Sequence, residues 1–72
     1  MINTSISLND NIAFLRRSKH WNRTILSAKT GIKKDRIEGY EKGLLKLRLL
    51  DTYKLSRVFE VTMDELVFGV YK

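Results

Sequence analysis

Apolar residues recur at helical spacing along almost the whole chain, with short polar or glycine-containing breaks between the runs, and this pattern predicts an all-α chain of five short helices. The first is expected from about Asn9 to Lys19, with Ile12 and Leu15 inward and Arg16, Arg17 and Lys19 outward. Asn9 suits an N-cap, because its side-chain oxygen can take up a free amide of the first turn. The second helix follows Asn22, another cap residue, and stops at Gly31, a residue suited to the left-handed turn past a helix end. Ile25, Leu26 and the stem of Lys29 form its expected inner face. The third opens near Lys33 and stops before Gly43, with Ile37 and Tyr40 inward. Gly39 inside it costs about 1 kcal/mol relative to alanine. A fourth helix is expected from about Arg48 to Phe59, burying Leu49, Tyr53, Leu55 and Phe59. The fifth is marked by Thr62-Met-Asp-Glu65, in which threonine and glutamate can each satisfy the other's orphan amide, and it ends at Gly69.

The chain has 72 residues, no proline and no cysteine, and it shows neither a repeat nor a linker. It is therefore expected to be one domain over 1–72 with its core at about 9–69, near the lower size limit for folding on a single core. Without cysteine there are no disulfides and no thiolate metal sites, and a reducing cytoplasm suits the chain. No run reaches membrane-span length, and "MINTSISLND" lacks the basic start and apolar middle of a signal peptide. A cytoplasmic protein with no membrane association is the expectation. The net charge of +6 is unevenly placed: residues 1–36 carry eight basic and two acidic side chains, whereas residues 37–72 carry six of each. A basic field of this kind attracts nucleic acid or an acidic surface, or serves only as a solubilising face.

Leu26, Gly31, Ile32 and Ile37 have the spacing of two helices packed at a steep angle across a short turn, which frees the outer face of the following helix for a partner. Taken with "IAFLRRSK" before them, "TGI" at the turn, "YEKG" after the third helix and "FEVTMDEL" near the end, residues 12–66 resemble the lambda-repressor/Cro-like helix-turn-helix family without a gap. That resemblance covers about three quarters of the chain. It implies five helices and a cytoplasmic transcriptional regulator, often from a phage, whose third helix reads double-stranded operator DNA.

Several positions depart from the family pattern. The glutamine usual early in the second helix is Arg23, and the small alanine is Ser27. The third helix opens Lys33-Lys34-Asp35-Arg36-Ile37-Glu38, with no capping serine and with two carboxylates where polar base-readers are usual. The loop that is normally polar and proline-containing reads "LLKLRLL". Leu47 and Leu49 are expected to join the core, leaving Leu44, Leu45 and Leu50 as an apolar partner surface.

Lys33, Lys34 and Arg36 suit phosphates, and Arg36 also suits a guanine edge. Arg16, Arg17, Asn22 and Arg23 would support such contacts, to DNA or to a protein partner. Asp35 and Glu38 fit DNA poorly, since only a cytosine amino group rewards a carboxylate there. One of them pairing with Lys34 or Arg36 is the plain alternative. Trp21 is expected to close the core rather than stack on a base. His20, the only histidine, has no second ligand or nucleophile near it in sequence, and no phosphate-binding glycine loop is present, so neither enzyme chemistry nor a cofactor is expected.

Two functions fit these residues. The favoured one is an antirepressor of a phage lysis–lysogeny switch, which lays its third helix and leucine loop on the DNA-binding face of a cognate repressor. In this respect the chain is similar to the small modulator-of-repression proteins of temperate phages. The other is a Cro-like homodimer that binds operator DNA itself through the third helix, with the fifth helix and Val70-Tyr71 as its dimer contact.

Overall fold

The computed structural model describes residues 8–69, and for residues 8–10 the backbone alone. Within that span are five helices: α1 (Leu8–Ser18), α2 (Arg23–Thr30), α3 (Lys34–Glu41), α4 (Leu49–Phe59) and α5 (Met63–Phe68). No strand occurs among the described residues, and none of their helices is long and apolar enough to cross a membrane.

The local signals act largely as the residues suggest. Asn22 caps α2 by accepting the Ile25 N–H at 2.8 Å, and Gly31 closes the helix at φ 78°, a left-handed conformation that glycine adopts without strain. The capping box of α5 is complete: Thr62 accepts the Glu65 N–H while Glu65 accepts the Thr62 N–H. Gly69 ends that helix, again left-handed. Two helix ends turn left-handed without a glycine. His20 after α1 and Glu60 after α4 take φ near +60° themselves, a conformation uncommon outside glycine. Asn9 does not cap α1, because the helix already includes Leu8 and Asn9 lies within it.

One hydrophobic cluster joins all five helices: Ile12 and Leu15 from α1, Leu26 from α2, Ile32 from the turn, Ile37 and Tyr40 from α3, Leu55 and Phe59 from α4, and Leu66 from α5. Trp21 stacks on Phe59 with ring centroids 5.9 Å apart and closes one side of it, with Lys29 lying over its other surroundings at 4.8 Å from the ring centroid. Leu47 packs against this cluster as expected.

Three expected core residues are not in it. Leu49, Tyr53 and Ile25 are exposed, and α4 turns Asp51, Thr52 and Ser56 inward instead. Each of these polar residues has a partner that makes burial tolerable. Thr52 Oγ1 donates to the Arg48 carbonyl and Ser56 Oγ to that of Tyr53, while Asp51 accepts the Tyr40 hydroxyl. That last bond ties α4 to α3 across the core, and it rotates Leu49 and Tyr53 outward on the same helix.

Candidate partner-binding surface

Helix α3 follows α2 after the short turn Gly31-Ile32-Lys33, with Ile32 buried beneath it and Ile37 and Tyr40 anchoring the helix. Lys33 provides no side-chain cap, so the helix opens with bare amides between Lys33 and Lys34. Helical spacing then places Lys34, Glu38 and Lys42 along one outward ridge, with Asp35 beside it. The ridge has two different flanks.

On the α1–α2 flank lies a buried ionic clasp. Arg16 grips Glu41 with two bonds, from Nε at 2.7 Å and from Nη2 at 3.0 Å, and Arg23 Nε adds a third at 2.9 Å. Arg16 Nη1 donates to the Trp21 carbonyl. This planar two-point pairing is the geometry in which a buried arginine is best satisfied. Arg16 therefore does not face outward as expected: it lies four residues after Ile12, on the same face of α1, and its guanidinium is engaged by Glu41 and the Trp21 carbonyl. Only 8% of its surface is exposed. Arg23 keeps part of its side chain at the surface but spends its Nε on Glu41, and Asn22 is occupied in capping α2. Arg17 is exposed, and with Arg16, Asn22, Arg23, Thr24 and Lys34 it lines a shallow basic cleft beside α3.

On the other flank the chain turns back after α3 through residues 42–48. Leu44, Leu45, Leu49 and Leu50 are exposed by 75, 47, 77 and 61%. Three of these are the leucines expected to remain outside, and Leu49 joins them. Tyr53, one turn along α4 from Leu49 and Leu50, is half exposed as well. Leu45 also walls a cleft with Lys33, Asp35, Arg36 and Arg48, so apolar and charged groups meet there.

No protein-family model matches this sequence, and no curated protein does either.

The two carboxylates of the ridge differ. Glu38 pairs with Lys42 at 2.7 Å one turn on, not with Lys34 or Arg36. The Lys42 ammonium holds the Glu38 carboxyl below its usual range, first through the hydrogen bond and then through its charge. Asp35 has no ion-pair partner among the described residues. Lys33, Lys34 and Asp35 are exposed and Arg36 is partly covered, so the whole opening of α3 is presented outward. The Tyr40 hydroxyl is pushed above its usual value by burial first and by the Asp51 bond second, with Arg36 opposing. Neither the clasp nor the Tyr40–Asp51 bond shows in the local pattern, because each joins residues from different helices. The glutamate of "YEKG" and an arginine four residues after Ile12, on the inner stripe of α1, were the signals for the clasp. Val70 and Tyr71, candidate dimer contacts, lie outside the described residues.

Proposed function

We propose that this chain is a helix-turn-helix regulator of a phage lysis–lysogeny switch and acts as an antirepressor. It lays α3 and the leucine loop on the DNA-binding face of a cognate repressor, and operator DNA and this protein then compete for the same surface. The observation that carries the reading is the exposure of Leu44, Leu45, Leu49 and Leu50 in the loop after α3 and the first turn of α4, with Leu44 and Leu45 bonded to the Gly39 carbonyl of α3. Nothing in a DNA groove rewards so much aliphatic surface next to the reading helix, whereas a protein interface places such a patch at its centre with charges at its rim. Asp35 adds a carboxylate suited to a surface whose own task is to bind phosphates.

The test is capture of the tagged chain from nuclease-treated host lysate, followed by titration of the recovered protein with operator DNA. A helix-turn-helix repressor recovered in comparable amount, and displaced from its operator by this chain, is the expected result. An empty capture, with operator DNA bound by the isolated chain alone, would overturn it.

Direct operator binding stands as the second reading because the Glu38–Lys42 pair neutralises one of the two carboxylates that argue against DNA. Lys33, Lys34 and Arg36 would then make the groove contacts, with Arg17 on the basic flank. That reading requires affinity for DNA by the isolated chain that falls steeply with salt.

A further inference from the structure

The inference drawn here rests on the docking role of the leucine loop and concerns what holds that loop in place. Gly39 lies in the middle of α3, flanked by buried Tyr40 and one turn from Arg36. Helical preference argues against glycine there, and its backbone is not left-handed, since the positive-φ glycines are at other positions. The reason for a glycine is what lies over it. A Cβ on Gly39 would stand 2.6 Å from Leu45 Cδ1, 2.8 Å from Cγ and 3.6 Å from Cβ. The Gly39 carbonyl, moreover, accepts the backbone N–H of Leu44 at 2.8 Å and of Leu45 at 3.3 Å.

One residue of α3 thus holds the loop twice, by its carbonyl and by its missing side chain. We propose that Gly39 is the positioning residue of the docking surface. It seats Leu45 against bare helix backbone and so brings the leucine row level with Asp35 and Arg36 as one continuous surface. The inner side of Leu45 lies on Gly39, and its outer half remains free to meet an apolar side chain of the partner, with Arg36, Asp35 and Arg48 around it. The atoms obstructing a Cβ, Leu45 Cδ1 and Cγ, belong to a half-exposed side chain and not to backbone. An alanine at 39 therefore leaves the helix intact, and Leu45 is what moves.

The experiment uses the full chain as wild type, Gly39→Ala, Leu45→Ala and the double variant. Methyl and amide-exchange spectra of the isolated proteins report the loop, and titration against the repressor recovered with the wild-type chain reports docking. In Gly39→Ala the Leu45 methyl signals should shift, the Leu44 and Leu45 amides should exchange at least tenfold faster, and repressor binding should fall at least tenfold while the protein stays folded. In the Leu45→Ala background the same alanine should have no further effect on binding, because Leu45 supplies the nearest atoms to the added Cβ. A glycine with no positioning role would give a different result: Gly39→Ala would raise the melting temperature through helix preference and leave the Leu45 methyls, exchange and binding unchanged. That result overturns the proposal, as does a displaced loop with undiminished binding. If the wild type recovers no repressor, the antirepressor reading falls, and the methyl and exchange spectra still decide whether Gly39 seats the loop.

Discussion

On the flank of α3 that faces α1 and α2, a guanidinium and a carboxylate lie buried against each other; on the flank that faces residues 42–48, Leu44 and Leu45 are exposed, as are Leu49 and Leu50 in the first turn of α4. Each flank inverts what side-chain polarity alone prescribes, and the two inversions differ in kind. The buried charges are complete in themselves, since Arg16 and Glu41 satisfy one another and Arg23 and the Trp21 carbonyl take up further bonds. The exposed leucines have no such partner within the described residues. A buried ion pair with every bond made fixes how α3 is held, whereas an uncovered apolar row beside that helix calls for something outside the chain.

Breaking the clasp should have the largest effect on stability. Glu41→Gln leaves Arg16 buried without its counter-charge and should cost about 3–5 kcal/mol, a large share of what a small domain has. Urea unfolding followed by the fluorescence of Trp21, which is stacked on Phe59, would measure it. A cost below about 1 kcal/mol would mean that the pair is solvated and that the two flanks do not differ. Replacing both partners together, as Arg16→Met with Glu41→Leu, should cost less than Glu41→Gln alone, because no charge is then left stranded.

The second test concerns the bond that turns α4. Tyr40→Phe removes the donor to buried Asp51 and should cost about 1–3 kcal/mol by the same unfolding measurement. Its pH signature has a definite sign. Burial and Asp51 raise the Tyr40 hydroxyl above its ordinary 10.0, so its contribution is complete below that value and is lost as pH rises through the higher folded-state value. The alkaline limb of the stability profile should therefore flatten in Tyr40→Phe relative to wild type.

These two interactions also mark where the sequence stops being legible. Helix positions, most caps and the residues Ile12, Leu15, Leu26, Ile37, Tyr40, Leu55 and Phe59 follow from apolar spacing and end chemistry, both of which are local. The clasp of Arg16 does not, because its partner is a glutamate 25 residues away. Leu49 and Tyr53 were misplaced for a related reason. Helix α4 has apolar residues around more than one face, and the bond from Tyr40 to Asp51, together with inward Thr52 and Ser56, decides which face turns in. In the candidate surface, Leu44, Leu45 and Leu50 could be read as surplus from the unusual loop alone. The occupation of Arg16 by Glu41 could not, whereas the capping role of Asn22 could.

On the leucine flank, stability and binding should separate. Replacing Leu44, Leu49 and Leu50 singly with serine should each change unfolding free energy by no more than about 0.5 kcal/mol, since these side chains already lie in water. If the proposed antirepressor role holds, the same changes should weaken binding to the repressor by about 1–2 kcal/mol at the central positions, measured by calorimetric titration. Loss of stability as large as that from Glu41→Gln would show that the loop belongs to the core and that the contrast is false.

The smallest expected effect is the sharpest discriminator of partner. Glu38→Gln removes an exposed ion pair with Lys42, and its stability change should be slight and salt-sensitive. Because Lys42 lowers the Glu38 carboxyl, the pair's contribution is present above the ordinary 4.5 and fades as pH falls through the lower folded-state value. What changes more is the field over the ridge, which gains one positive charge beside Lys34. If α3 enters a groove, Glu38→Gln with Asp35→Asn should tighten non-specific DNA binding and steepen its salt dependence. If α3 lies on a repressor's cationic face, the same two changes should leave DNA affinity negligible and weaken the protein complex, more through Asp35, which has no ion-pair partner among the described residues, than through Glu38, which already has one. Equal losses at the two positions would mean that the Glu38–Lys42 pair opens on binding, and the repressor would then be competing with Lys42 for that carboxylate.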